Sequence, residues 1–340
     1  MRALVAHGPG DFRLEHQDRP APPAGAVVEV EAAGVCAADR MIWRGDGPWA
    51  LRYPFVPGHE LLGHLSWVDP GTAGRWGVSV GDRVTAEVVV PCRRCRWCQE
   101  GRANLCPRGA HLGSGVPGAF AEALALPPEA AVHRVPDELS TAAGVLAEPT
   151  ACAVHAVRRA TLGPTDVVAI AGIGSIGAAA LGVVTGRAAQ VVAVANSPRR
   201  AALAAELGAD ATVDASSGDP AAELAWLTAG RGVDAFVDCS GSTEAVALGL
   251  TAVARGGRLV LYGVYRQPAP VDWNVVAEHK ELDVRGGHLA PGAFPEAMEA
   301  LRSGAVDAEA IVTHRHPLDD ARTALDPCPD RSRLKAILVP

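Results

Sequence analysis

The chain has 340 residues, 49% of them hydrophobic and 20% charged, with a net charge of −7. At roughly 100 to 200 residues per domain, that length implies about two packed domains. The acidic balance excludes a general attraction for nucleic acid or anionic membrane, and with aromatics at 4% against 37 Gly and 26 Pro, an α/β architecture fits better than an aromatic-rich sandwich.

Met1 to Phe12 has no apolar segment behind a basic one, so no secretory signal is read and a cytoplasmic protein is expected. In a reducing compartment the eight cysteines read as metal ligands or inert core thiols rather than disulfides. Up to about Pro149 the pattern is of short strands, Ala26 to Val30, Arg83 to Val90 and Phe120 to Leu126, bounded by Gly, Pro or Asp. From Asp166 strands are predicted at Val167 to Ala171, Gln190 to Ala195, Ala211 to Val213, Ala235 to Val237, Arg258 to Leu261 and Leu282 to Val284. Helical segments such as Arg199 to Leu207, Ala221 to Thr228 and Glu244 to Ala254 lie between most of them, the doubly wound parallel arrangement. Two helices (Phe294 to Ser303, Leu318 to Leu325) and a strand (Lys335 to Val339) follow and do not extend the alternation cleanly. The uncharged run Val167 to Gly186 imitates a membrane span, but Gly172, Gly174 and Gly177 divide it into strand, turn and helix.

Three groups of residues carry chemistry. Cys36 and Asp39 stand close together, followed by Pro57-Gly58-His59-Glu60, and Glu148 precedes Pro149; alone, His59 reads as structural and Glu148 as an acid near a helix start. Cys92-x2-Cys95-x2-Cys98-x7-Cys106 places four soft ligands in a short basic segment (about 91–107), which suits a closed tetrahedral Zn²⁺ that holds a lobe poor in apolar residues. Arg93, Arg94, Arg96 and Arg102 read as solvating that lobe and damping its thiolate charge; the competing reading, a nucleic-acid zinc module, is opposed by the acidic net charge. Gly172-Ile173-Gly174-Ser175-Ile176-Gly177 follows a predicted strand and opens a helix, the setting of a dinucleotide pyrophosphate site. The acid expected about 20 residues on, for the ribose hydroxyl of NAD, is missing. Asn196, Ser197, Arg199 and Arg200 stand there and suit a 2′-phosphate, so NADP is preferred and NAD remains possible.

With the Gly81-Asp82-Arg83-Val84 turn and Gly256-Gly257-Arg258-Leu259-Val260, these motifs give a chain that resembles the zinc-containing medium-chain alcohol dehydrogenases of the polyol (sorbitol, threonine, glucose dehydrogenase-like) branch. The resemblance implies a GroES-like, mostly-β catalytic domain (1–150 and 287–340) and a Rossmann cofactor domain (151–286). It implies two zinc ions per chain: a structural one on the four-cysteine lobe and a catalytic one held by Cys36, His59 and Glu148, with Glu60 as an exchangeable fourth ligand. Asp39 would accept the second ring N–H of His59.

The implied reaction is reversible NAD(P)-dependent oxidation of a secondary alcohol of a polyol, sugar or (amino)cyclitol to a ketone. Homodimers or homotetramers would form through the cofactor sheet's edge near Arg258 to Tyr262. Two departures leave the route of the proton open: Ala38 and Met41 stand where family members often carry a hydroxyl and a histidine. Trp43, Trp49, Tyr53 and Phe55 form either a substrate wall or core. The same fold without the open zinc, an NADPH-dependent enone or quinone reductase, is the alternative activity.

Overall fold

The computed structural model describes residues 1–328 and 332–340. It divides into two units, one of Met1–Glu148, Ala290–Leu301 and Ala308–Pro340, the other of Pro149–Leu289 and Arg302–Asp307.

The first unit is built on a seven-stranded sheet in the order Val312–Pro317, Lys335–Val339, Ala26–Val35, Glu60–Val68, Arg83–Ala86 and Val132–Arg134, with Ala123–Leu126 pairing onto Ala26–Val35. All its pairings are antiparallel except that of Val312–Pro317 with Lys335–Val339. Alternate apolar residues of these strands, among them Val28, Leu61, Leu65, Val84, Leu124 and Leu338, pack with the fully buried Phe120 into one core. Arg83 to Val90, expected as one strand, is two. After Ala86 the chain leaves the sheet, Glu87 N–H donating to the Ala131 carbonyl, and Val89–Val90 pairs with Ala110–His111 instead. The expected strand from Phe120 begins only at Ala123, because Ala121 bridges to Ala3.

The second unit is a six-stranded parallel sheet in the order Ala211–Asp214, Gln190–Ala195, Val167–Ala171, Val233–Asp238, Val253–Leu261 and Asp283–Gly286. Numbered within the unit, this is 3-2-1-4-5-6, the dinucleotide-binding order. Its central strands are apolar over most of their length because both faces are covered: Ala169, Ile170, Val192, Ala193, Phe236 and Val237 have no exposed surface. The uncharged run resolves into the strand Val167–Ala171 and the helix Ser175–Val184, and among the described residues no helix is long and apolar enough to cross a membrane. One expectation is corrected. The strand holding Arg258 is not an edge; it has neighbours on both sides, and the free edge there is Asp283–Gly286. That strand also starts earlier than expected, at Val253, since Gly256 (φ 71°) absorbs a register shift without ending the pairing. Residues 302–307 group with this unit, where a Cβ on Gly182 would meet the Ala305 carbonyl oxygen at 2.0 Å.

Candidate metal centres and cofactor turn

Cys36 follows the strand Ala26–Val35 and stands at the N-cap of the helix Ala37–Arg44. Glu60 opens the neighbouring strand in register with Gly34, and His59 precedes it after Gly58, whose φ of 95° and tight contact with the Phe120 ring admit no side chain. The donor atoms of Cys36, His59 and Glu60 all lie within 4.8 Å of one another. Donors about 2.0–2.3 Å from one zinc ion stand about 3.3–3.8 Å apart in a tetrahedron, so a group gathered this closely needs only a small contraction to share one ion, and thiolate, imidazole and carboxylate are all zinc ligands. Glu148 is buried in the first turn of Ala147–Ala160, close enough for its charge to act on His59, but outside that group of donors.

Asp39 is almost wholly buried and serves two neighbours. One oxygen accepts the Cys36 backbone N–H at 2.8 Å, and the other lies 3.8 Å from His59 Nδ1. The second distance is that of an ion pair and too long for the expected ring hydrogen bond. Burial works against a charged His59 ring, but Asp39, Cys36 and Glu148 outweigh it and raise the ring well above its ordinary value. Burial raises the Asp39 carboxyl.

Sequence reading missed Lys335. Its Nζ donates to both Glu60 oxygens at 2.6 and 2.7 Å and to the Val35 carbonyl at 3.2 Å, with Lys335 and Glu60 each 1% exposed. The available signal was a cation inside the apolar strand Lys335–Val339, which a protein interior accepts only beside an anion.

The four cysteines of the lobe form a second group, with Cys95 Sγ 3.4 Å from Cys98 Sγ and 3.8 Å from Cys106 Sγ. A zinc–sulfur distance of about 2.3 Å gives a tetrahedral edge of about 3.8 Å, whereas a disulfide needs about 2.0 Å. Arg108 touches a lobe thiol, donating to Cys92 Sγ at 3.3 Å. With the Arg94 backbone N–H it draws the Cys92 thiol down to about 5, while burial pushes Cys98 up to about 12. Of the arginines expected there, Arg93 donates to the Glu129 and Ala130 carbonyls, and the exposed Arg96 and Arg102 stack on Trp97 within the lobe.

In the cofactor unit, Gly172 adopts φ 87°, and a Cβ on Gly177 would sit 2.2 Å from the Gly172 carbonyl oxygen. A Cβ on Gly174 would meet nothing within 4 Å, leaving open space at the start of the helix Ser175–Val184, where Ser175 and Ile176 present their N–H groups. At the end of the next strand Ser197 caps the helix Pro198–Glu206 by accepting the Arg200 N–H at 3.4 Å. Its oxygen accepts there, and its O–H remains a donor. Arg199 and Asn196 are exposed on the same turn. Of the aromatic cluster, Trp43 meets Phe12 edge-on and donates to Asp326, Tyr53 stacks on Phe55, and Trp49 is 41% exposed.

Comparison with known proteins agrees with this arrangement. Residues 22–137 match the alcohol dehydrogenase GroES-like domain and residues 172–303 the zinc-binding dehydrogenase family. The chain therefore belongs to the zinc-type medium-chain dehydrogenases, in the polyol-dehydrogenase group, and is an oxidoreductase. It is 37% identical to an erythritol/L-threitol dehydrogenase of Mycolicibacterium smegmatis (96% of this chain, 93% of the relative). It is 30% identical to the sorbitol dehydrogenase of Bacillus subtilis (96% and 93%). A zinc-binding dehydrogenase from Sinorhizobium meliloti solved with NADP superposes with a TM-score of 0.90 at 27% identity (100% and 99%).

Proposed function

We propose that the protein reversibly oxidises a secondary alcohol of a small polyol, sugar or (amino)cyclitol to the ketone, using zinc at the Cys36 group and NAD(P)⁺ on the glycine turn. The observation that carries this is the convergence of Cys36, His59 and Glu60 in a chain 37% identical to an erythritol/L-threitol dehydrogenase over nearly its whole length. A four-carbon polyol heads the candidate substrates for that reason. The four-cysteine lobe takes the second zinc, which its closed donor set gives a structural role.

When bound, zinc supplies Lewis acidity to a substrate hydroxyl and the nicotinamide accepts the hydride. The residues of the chain do the rest. Cys36, His59 and Glu60 hold the ion, with Glu148 close by. Asp39 fixes the entry to the Cys36 helix and lends negative charge to the His59 ring. Ala38 and Met41 offer no titratable atom, so the substrate proton leaves through Glu60, a water or the cofactor ribose. Gly174 leaves room for the pyrophosphate, and the exposed Arg199 and Asn196 support a contact with an adenosine 2′-phosphate, which favours NADP⁺.

The test is a panel of tetritols, pentitols, hexitols, aldoses and cyclitols with NAD⁺ and NADP⁺ in parallel, followed at the reduced-cofactor absorbance, with metal counted in the same protein. Turnover of polyols with two zinc ions per chain supports the reading. One zinc per chain, with reduction of enones by NADPH, would replace it by a reductase that uses cofactor and pocket alone.

A further inference from the structure

We propose that Lys335 is a positioning residue that decides how far Glu60 serves as a metal ligand. The inference rests on the Cys36 group being a metal site. Lys335 comes from a strand far along the chain and reaches the site because Lys335–Val339 pairs antiparallel with Ala26–Val35, Ala336 opposite Val35 and Ile337 opposite Gly34. Gly34 is also the register partner of Glu60, and a Cβ on it would sit 1.8 Å from Glu60 Oε2. The missing side chain at Gly34 is the space into which the Glu60 carboxylate folds. There both its oxygens are held by Lys335, whose third hydrogen goes to Val35, so all three ammonium donors are used.

A buried ion pair is a poor device for stability, since apolar residues of the same volume often serve as well or better. This one stands against the donor group, with Glu60 belonging to both. Charge explains the placement. A thiolate at Cys36 with Glu60, Glu148 and the buried Asp39 carries more negative charge than a divalent ion neutralises, and Lys335 offsets part of that excess. With Lys335 present, Glu60 is shared between ammonium and metal and gives way when a substrate oxygen arrives. Without Lys335, the Glu60 carboxylate would be left to hold the metal more tightly and to compete with the substrate.

The experiment uses full-length protein with cobalt(II) in the Cys36 site, whose visible absorption reports ligand changes. In the unaltered enzyme the bands shift when a polyol is added. Lys335→Met is expected to abolish that shift, to slow removal of the metal by a chelator about tenfold, and to raise KM for the alcohol by a similar factor while the cofactor Kd stays unchanged. Lys335→Arg should restore much of the shift, and Lys335→Met with Glu60→Gln should restore fast chelation. Should Lys335→Met not fold, Glu60→Gln alone carries the test: its spectrum without substrate should match that of the unaltered enzyme with substrate. A Lys335→Met protein with the normal shift and chelation rate, or a Glu60→Gln spectrum unlike the substrate-bound one, overturns the proposal. If Cys36→Ser leaves the cobalt bands unchanged, the metal reading fails first, and this inference with it.

Discussion

Gly177 rests directly on Gly172, with no room between them for a methyl group: a Cβ on the first would lie 2.2 Å from the carbonyl oxygen of the second. The turn and the first turn of its helix are therefore packed backbone to backbone. Gly177→Ala should cost about 1–3 kcal/mol by overpacking, seen as a lowered Tm in the cofactor-free protein. Gly174→Ala is expected to do the opposite. Its φ of −91° and open surroundings tolerate a methyl, so Tm should hold while NAD(P)⁺ affinity, measured by calorimetry, falls. Equal effects of the two substitutions on Tm would contradict the assignment of the open space to the cofactor.

Arg199 is expected to read the 2′-phosphate. Arg199→Ala should weaken NADP⁺ by about 1.5–3 kcal/mol, the size of a charged hydrogen bond, and leave NAD⁺ nearly unchanged. A fluorescence titration with both cofactors decides, and parallel losses for both would remove the preference for NADP⁺.

Asp39→Asn keeps the shape and the bond to Cys36 but removes the charge 3.8 Å from His59 Nδ1. Metal affinity at the Cys36 site should drop about 10- to 100-fold, read by competition with a chromophoric chelator, while the four-cysteine site keeps its ion.

Arg108 is the corresponding support of the other group. Arg108→Ala removes a side-chain donor from the Cys92 thiol. Zinc should leave that lobe about tenfold faster, and complete removal of its zinc should expose the segment about 91–107 to proteolysis. Protection that survives demetallation would show that the lobe holds itself.

Asp69 gives a pH signature. The Thr72 side chain, the Gly25 N–H and the Thr72 N–H bind its carboxylate at the head of the helix Pro70–Trp76 and draw it down to about 2. A carboxyl depressed by folding contributes stability that is complete above its unfolded value and disappears as pH falls through the folded one. Asp69→Ala should therefore lower Tm at neutral pH through loss of the helix cap. The difference from the unaltered protein should shrink between about pH 4 and pH 2. A gap independent of pH would mean that the carboxylate charge contributes nothing.

The cofactor sheet was legible because strands buried on both faces read as unbroken apolar runs. Val167–Ala171 and Gln190–Ala195 fall where the pattern puts them, and the glycine spacing lay on the strand-to-helix turn that gives it meaning. The interior position of Arg258 was not legible, since nothing in one strand says whether a sixth will pair beyond it. In the first unit the split at Ala86 depends on Ala131 and Ala110, partners that no local window contains. Spacing marked the lobe cysteines, whereas Cys36, His59 and Glu60 stood out only through the family resemblance. Lys335 and Arg108 escaped because their meaning comes only from the group each touches, 275 residues away for Lys335 and 16 for Arg108.

The pairing of Ala26–Val35 with Lys335–Val339 also orders the protein's maturation. A chain emerging from the ribosome can complete the parallel sheet once residue 286 is out, but the β-sheet that carries Glu60 stays unfinished until its 300-residue loop closes between Val35 and Lys335. Premature termination short of that strand would therefore spare the nucleotide-binding half and leave Glu60 without its counter-charge.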